Sequence, residues 1–319
     1  MSKDRIRIFF ASDIHGSDVC FKKFLNSAEF YKCDIAIIGG DITGKFIVPV
    51  YDLGNHYMCK IGGKEEILTN KEQLEKILQK IRDSGSYPYI TTKEHWEAII
   101  QDTSKMEQLF DELIKESIKR WVEYAEVKLK GKKAKYFIMP GNDDSYSIDP
   151  ILNSSTVIIN PNEKIVQLSD KFQMLSLGYS NITPWRCPRD ISEEEIEEKI
   201  NRLMENVNRD SQLIYNIHVP PYNSGIDLAP ELDKDMKPKI GPGGQLMVIP
   251  VGSKAVRRSI EIYQPLIGLH GHVHEAKGFS KIGKTICFNP GSEYHNGILR
   301  GVLIQIENNK VKDFIFTSG

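Results

Sequence analysis

Five short apolar runs set the frame of this chain. Residues 6–11, 35–38, 136–139, 213–217 and 266–269 are each of strand length, rich in Ile, Phe or Tyr, and followed within two residues by Gly, Asp, Asn or His. Runs without polar alternation read as strands buried on both faces, which deliver polar residues at one sheet edge. Helical patterns lie between them. The clearest is 192–208, where Ser192 and Glu195 form a capping box and Ile196, Ile200, Leu203 and Val207 make one apolar stripe. Alternating strand and helix predicts α/β layers. The tail, 285–288 followed by 302–306 and 311–314, reads as hairpin-like β with Glu307 to Lys310 as its turn, hence a second sheet or a sheet extension.

The stretch 44–131 interrupts this rhythm and reads as a helical insertion within a single domain covering 1–319. Thr69 with Glu72 caps one helical pattern carrying Leu74, Ile77, Leu78 and Ile81; Thr91 with Glu94 caps another carrying Trp96, Ile99, Ile100, Leu113, Ile114, Trp121 and Val122. Unbroken from 92 to 129, the second helix would run roughly 57 Å at about 1.5 Å per residue. A break near Asp102-Thr103-Ser104 is therefore expected. This segment is read as a packing arm, with a substrate-gating cap or a homo-oligomer interface as alternatives. A second irregular stretch, 220–252, is rich in Pro and Gly but has no phosphate-loop spacing, so a shaped surface loop is expected.

Composition excludes several partners. Lys plus Arg number 42 against 43 Asp plus Glu, a formal charge of −1, so bulk electrostatic capture of nucleic acid or an anionic membrane is not indicated. The five cysteines (Cys20, Cys33, Cys59, Cys187, Cys287) are odd in number, scattered and never in Cys-x-x-Cys spacing. They fit a reducing compartment, and the charged start followed by a short apolar run does not fit a signal peptide or membrane span. A cytoplasmic protein with no membrane partner is expected.

The residues at the strand ends carry the chemistry: Asp13 and His15, Asp41, Asn142, His218, then His272 and His274. In an extended chain positions i and i+2 point the same way, so Asp13 with His15, and His272 with His274, each offer two ligands to one side. Four imidazoles, two carboxylates and one amide oxygen exceed what one tetrahedral ion needs, so two metal ions sharing a carboxylate are the natural count. Such pairs, roughly 3.5–4 Å apart, clamp phosphoryl oxygens and make hydroxide available near neutral pH. Phosphoester hydrolysis is the expected reaction.

The blocks Phe10-Ala11-Ser12-Asp13-Ile14-His15-Gly16, Gly39-Gly40-Asp41, Gly141-Asn142-Asp143-Asp144, His218-Val219-Pro220-Pro221 and Gly271-His272-Val273-His274 occur in that order. Together they resemble the five blocks of the calcineurin-like metallophosphoesterase superfamily, and Asn289-Pro290-Gly291-Ser292 resembles a feature of its small phosphodiesterase-like branch. The resemblance implies an α/β fold: a two-sheet β-sandwich flanked by helices (α/β/β/α), with a dinuclear site in the loops at the strand ends. Carried over, Asp13, His15 and His274 would bind one metal, Asn142, His218 and His272 the other, and Asp41 would bridge them, with a hydroxide between the metals as nucleophile. Manganese, iron, zinc and nickel are the family's metals, with Mn2+ favoured. The catalytic group is expected to comprise Asp41, Asn142, Asp143, Asp144 and His218.

One position departs from that pattern. The family usually reads Gly-Asn-His-Asp/Glu, and Asp143 stands where the His would stabilise the transition state or protonate the leaving group. Two adjacent carboxylates, Asp143 and Asp144, would then face an anionic substrate. A small phosphoester substrate is expected, diesters or activated aryl esters more than monoesters. Alternatives are a phosphomonoesterase or protein phosphatase, a nuclease, and a catalytically weak, metal-bearing interaction scaffold. His270 is read as supporting the site or the core, and His56, His95 and His295 as surface or structural. Arg186 and Arg189, near Trp185, are read either as phosphate or base contacts or as parts of a packed loop.

Overall fold

The structure is a computed structural model and describes residues 5–319. The first four residues, part of the reading of the charged start, lie outside the described residues. Two six-stranded sheets face each other. In the first, Arg5–Ala11, Ile35–Ile38, Lys135–Ile138 and Ile158–Ile159 run parallel, and the antiparallel hairpin Arg300–Glu307 and Lys310–Ser318 extends the edge beyond Arg5–Ala11. The tail thus extends the first sheet, turning through Asn308 and Asn309, both in the left-handed region. In the second sheet Phe172–Leu177, Gln212–Ile217, Ile267–Leu269 and Thr285–Asn289 run parallel, with Lys164–Ser169 and Gly278–Ile282 as antiparallel edges.

Residue parity in these strands builds the layers. Ile6, Ile8 and Phe10, with Ile35, Ile37 and Phe137, point inward and meet Phe172, Met174, Ile214, Ile267, Leu269 and Phe288 of the facing sheet. Their neighbours Phe9, Ala11, Ala36, Ile38, Tyr136 and Ile138 point outward and bury helices Asp18–Phe30 and Thr103–Lys128. Leu175, Leu177, Tyr215, Ile217 and Cys287 do the same on the other side, under helices Glu193–Met204 and Lys254–Tyr263. Because both faces of the central strands are covered, most of them read as largely apolar runs instead of strict alternation. The arrangement is the α/β/β/α sandwich expected.

The insertion is not purely helical. Between 46 and 91 the chain forms a four-stranded sheet in the order Lys64–Leu68, Tyr57–Ile61, Phe46–Asp52, Ser86–Thr91, packed on helix Lys71–Asp83 through Val50, Cys59, Leu68, Leu74, Leu78 and Ile81. These strands are half exposed and interleaved with Lys, Glu, Asp and Pro, so their apolar signal is too sparse to mark them in the sequence. Helix Thr103–Lys128 starts where the break was expected, with Asp102 accepting from Lys105 N. Its second half belongs to the main core: Trp121 stacks on Phe21 at 4.3 Å and its indole N–H donates to Asp18 at 2.6 Å. Two caps shift by one residue. Asn70 and Thr92, not Thr69 and Thr91, accept from the amides of Gln73 and His95. The capping box at Ser192 is present, and its helix ends at Met204.

Candidate metal centre

The parallel strands of both sheets end at one rim, and each chemistry-bearing residue leaves the fold just past a strand end. Crevices outside the carboxyl ends of parallel strands are where open α/β sheets place ligands. Asp13, His15, Asp41 and His272 all have positive φ, between 36° and 68°. None is glycine, so each costs of order 1–3 kcal/mol unless its surroundings fix it, a strain that clusters at functional sites. Gly141 and Gly271 explain how closely the loops meet, since a Cβ on the first would collide with the Asp41 carboxylate and on the second with that of Asp13.

All seven expected ligands converge. Asp13, His15 and His274 form one cluster of donor atoms, and Asp41, His218 and His272 another. Asn142 Oδ1 joins the second cluster, 3.1 Å from His218 Nε2 and 2.9 Å from His272 Nδ1. Asp41 lies between the two, with Oδ1 3.4 Å from His218 Nε2 and Oδ2 3.8 Å from His15 Nε2. His218 Nδ1 donates to the carbonyl of Gly39 at 2.8 Å, which turns Nε2 toward two oxygen acceptors, Asn142 Oδ1 and Asp41 Oδ1. His15 Nε2 and His274 Nε2 face each other at 3.0 Å, beside an Asp13 oxygen 3.4 Å from His274. Acceptor facing acceptor in a buried place requires either protons or cations between them. The donor set fits a metal centre.

Without a cation, charge is distributed unevenly. Burial opposes a charged His218, yet the neighbouring Asp41 carboxylate carries its pKa up to about 9. Burial holds His15 down to about 3 and His272 down to about 4. Burial would raise Asp13 and Asp41, but the adjacent histidines keep both carboxyls below the ordinary range. Two carboxylates and a protonated imidazole thus sit where cations would replace protons.

Several residues position the ligands. Asn142 Nδ2 donates to Asp190 at 2.9 Å, which turns the amide oxygen toward His218 and His272. Asn289 Nδ2 donates to the carbonyls of Gly271 and Val273, pinning the loop that bears His272 and His274, and Ser292 Oγ donates to the carbonyl of Asp13. His270 is buried, with Nδ1 2.7 Å and 3.1 Å from the carbonyls of Ile217 and Val219 on either side of His218. It supports the site, as expected. His95 and His295 are exposed and His56 half-buried. Replacing Asp190 by alanine frees the Asn142 amide to rotate and is expected to weaken Mn2+ binding about 10–100-fold in a calorimetric titration. Unchanged affinity would remove Asp190 from this role.

One expectation needs correction, and one open alternative closes. Asp144 does not face a substrate: it is fully buried, and its oxygens accept from Ile42 N, Thr43 N, Thr43 Oγ1 and Gly141 N at 2.6–3.0 Å. It ties the Asp41 loop to the Asn142 loop. Arg189 is likewise buried, its guanidinium donating to the carbonyls of Asp144 and Ser145 and to the Asp149 carboxylate, which settles it as part of a packed loop. Asp143 does lie at the mouth. Its backbone N–H donates to Asp41 Oδ1 at 3.0 Å, and its carboxylate pairs with Lys45 at 2.8 Å. Lys45 does not stand out in the sequence, although it follows Asp41 by four residues in the same glycine-rich turn. Asp190 gives no local signal.

No family model matches the chain. Over 154 residues it is 33% identical to an uncharacterised protein of Methanocaldococcus jannaschii, a match spanning 48% of this chain and 62% of that relative, under two thirds of its length. One solved structure aligns with 97% of this chain and 98% of its own at a TM-score of 0.57 and 16% identity. Another, of a Thermus thermophilus protein, aligns over 98% of both chains at 0.50 and 14%. These likenesses show a shared fold. That fold, the order of the five motif blocks and the meeting of their residues at one rim are together consistent with the calcineurin-like metallophosphoesterase superfamily.

Proposed function

We propose that this protein is a metal-dependent phosphoester hydrolase that uses two cations and prefers diesters or activated aryl esters. The observation that carries the reading is the convergence of imidazole lone pairs and carboxylates, above all His15 Nε2 facing His274 Nε2 at 3.0 Å beside Asp13. Bound there, a pair of divalent ions, Mn2+ favoured, would polarise a phosphoryl oxygen and ready a water for attack on phosphorus. Asp13, His15 and His274 would hold one ion, Asn142, His218 and His272 the other, with Asp41 shared. The chain's own contribution is orientation: Gly39 fixes the His218 tautomer and Asp190 the Asn142 amide. Position 143 carries no imidazole, and its carboxylate is occupied by Lys45, so no histidine there protonates a departing oxygen. Esters whose leaving group departs as a stable anion suit such a site.

All five cysteines are free and four are buried, which supports residence in a reducing compartment such as the cytoplasm. Among the described residues no helix is long and apolar enough to cross a membrane. The activity is tested by hydrolysis of bis-p-nitrophenyl phosphate and p-nitrophenyl phosphate with added Mn2+. Metal-dependent turnover, faster on the diester, is expected. A protein that binds two ions and turns over neither ester would instead be a metal-bearing scaffold.

A further inference from the structure

The pair formed by Lys45 and Asp143 stands beside the centre, where the Asp143 carboxylate also clusters with His15 and Asp41. One Asp143 oxygen lies 2.8 Å from the Lys45 ammonium and 3.9 Å from His15 Nδ1, and the Asp143 amide is bonded to Asp41. The Lys45 side chain is 38% exposed, and its ammonium pairs with Asp143. An ammonium has three donors, and Asp143 uses one. The turn that carries Lys45 is held from both sides. Thr43 donates its N–H and hydroxyl to Asp144, and Gly44 N donates to the Tyr87 hydroxyl at 2.7 Å. A Cβ on Gly44 would collide with the carbonyl of Gly85, so the insertion presses directly on this turn. Through that contact residues 84–87 of the insertion set where Lys45 stands.

We propose that Lys45 is a phosphate-binding residue of this site, its ammonium held by Asp143 and directed at a non-bridging oxygen of the bound ester. The proposal rests on the metal centre described above and adds a residue of this chain that would meet the substrate there. The charge balance favours it. Asp13, Asp41 and Asp143 bring three carboxylates to the pocket, and without Lys45 the outermost of them would face the incoming anion unpaired. Lys45 thus supplies positive charge at a mouth where the family pattern would place an imidazole.

The deciding experiment is a calorimetric titration of the Mn2+-loaded full chain with inorganic phosphate, alongside elemental analysis of bound metal. Lys45→Met is expected to weaken phosphate binding about tenfold or more, the loss of a charge-assisted hydrogen bond. Lys45→Arg, which keeps the charge, should stay within about threefold of the parent, and metal content should be unchanged in both. With bis-p-nitrophenyl phosphate, Lys45→Met should raise KM by a similar factor and leave kcat within about threefold. Phosphate affinity unaltered in Lys45→Met at full metal content overturns the proposal. So does a loss of bound metal, which would make Lys45 a support of the centre. The two readings fail separately: phosphate binding lost in Lys45→Met by a protein that hydrolyses no ester keeps this inference and removes the hydrolase, and brisk hydrolysis indifferent to Lys45 does the reverse.

Discussion

Replacing Asp41 by asparagine is expected to cut Mn2+-dependent hydrolysis of bis-p-nitrophenyl phosphate about a thousandfold, since charge stabilisation by a metal pair is worth several kcal/mol. The two oxygens of Asp41 reach both donor clusters, 3.4 Å from His218 Nε2 and 3.8 Å from His15 Nε2. Asparagine has the same shape but turns one acceptor into a donor, which no cation accepts. The backbone should tolerate the change, because Asp41 has φ 51° and asparagine enters the left-handed region readily. Thermal stability near that of the parent, with metal content and turnover both reduced, is the expected combination. Turnover within about tenfold of the parent would remove Asp41 from its shared position.

Asp144→Ala should unfold more easily, by about 4 kcal/mol in denaturant titration, without any role in substrate contact. The carboxylate takes three backbone N–H groups and the Thr43 hydroxyl, and deleting it orphans all four donors in a buried place, at roughly 1–3 kcal/mol for each that finds no water. Burial and the nearby Asp41 charge push the Asp144 carboxyl up to about 6. The folded metal-free protein therefore holds this proton more tightly than the unfolded chain does. The corresponding stability is full below about pH 4, the carboxyl's unfolded range, and is lost as pH rises through about 6. Asp144→Asn removes that slope between about pH 4 and 6. A small loss in Asp144→Ala, under about 1 kcal/mol, would mean that water satisfies the loop amides.

What the sequence made legible and what it hid have separate physical causes. Asp13, Asp41, Asn142, His218 and His272 each follow a strand buried on both faces, so an apolar run points straight at them. Fold and ligands were readable for the same reason. Strand Phe172–Leu177 is just as buried but includes Gln173 and Ser176 and leads to Gly178, so nothing in its sequence flags it. The sheet of the insertion is half exposed, and amphipathic signals diluted by Lys, Glu and Pro do not separate strand from loop. Asp144 looked catalytic because adjacency in sequence says nothing of direction, and in this turn Asp143 points to the mouth while Asp144 points into the protein. Lys45, Asp190 and Tyr87 act through tertiary contacts that no spacing encodes.

The seven-residue arrangement is tested most directly by counting and locating the metal. Crystals of the full chain loaded with Mn2+ are expected to show two anomalous peaks, one among Asp13, His15 and His274 and one among Asn142, His218 and His272, with Asp41 touching both and elemental analysis giving two ions per chain. A single ion bound by other groups, or none at saturating metal, would contradict the dinuclear centre and with it the hydrolase.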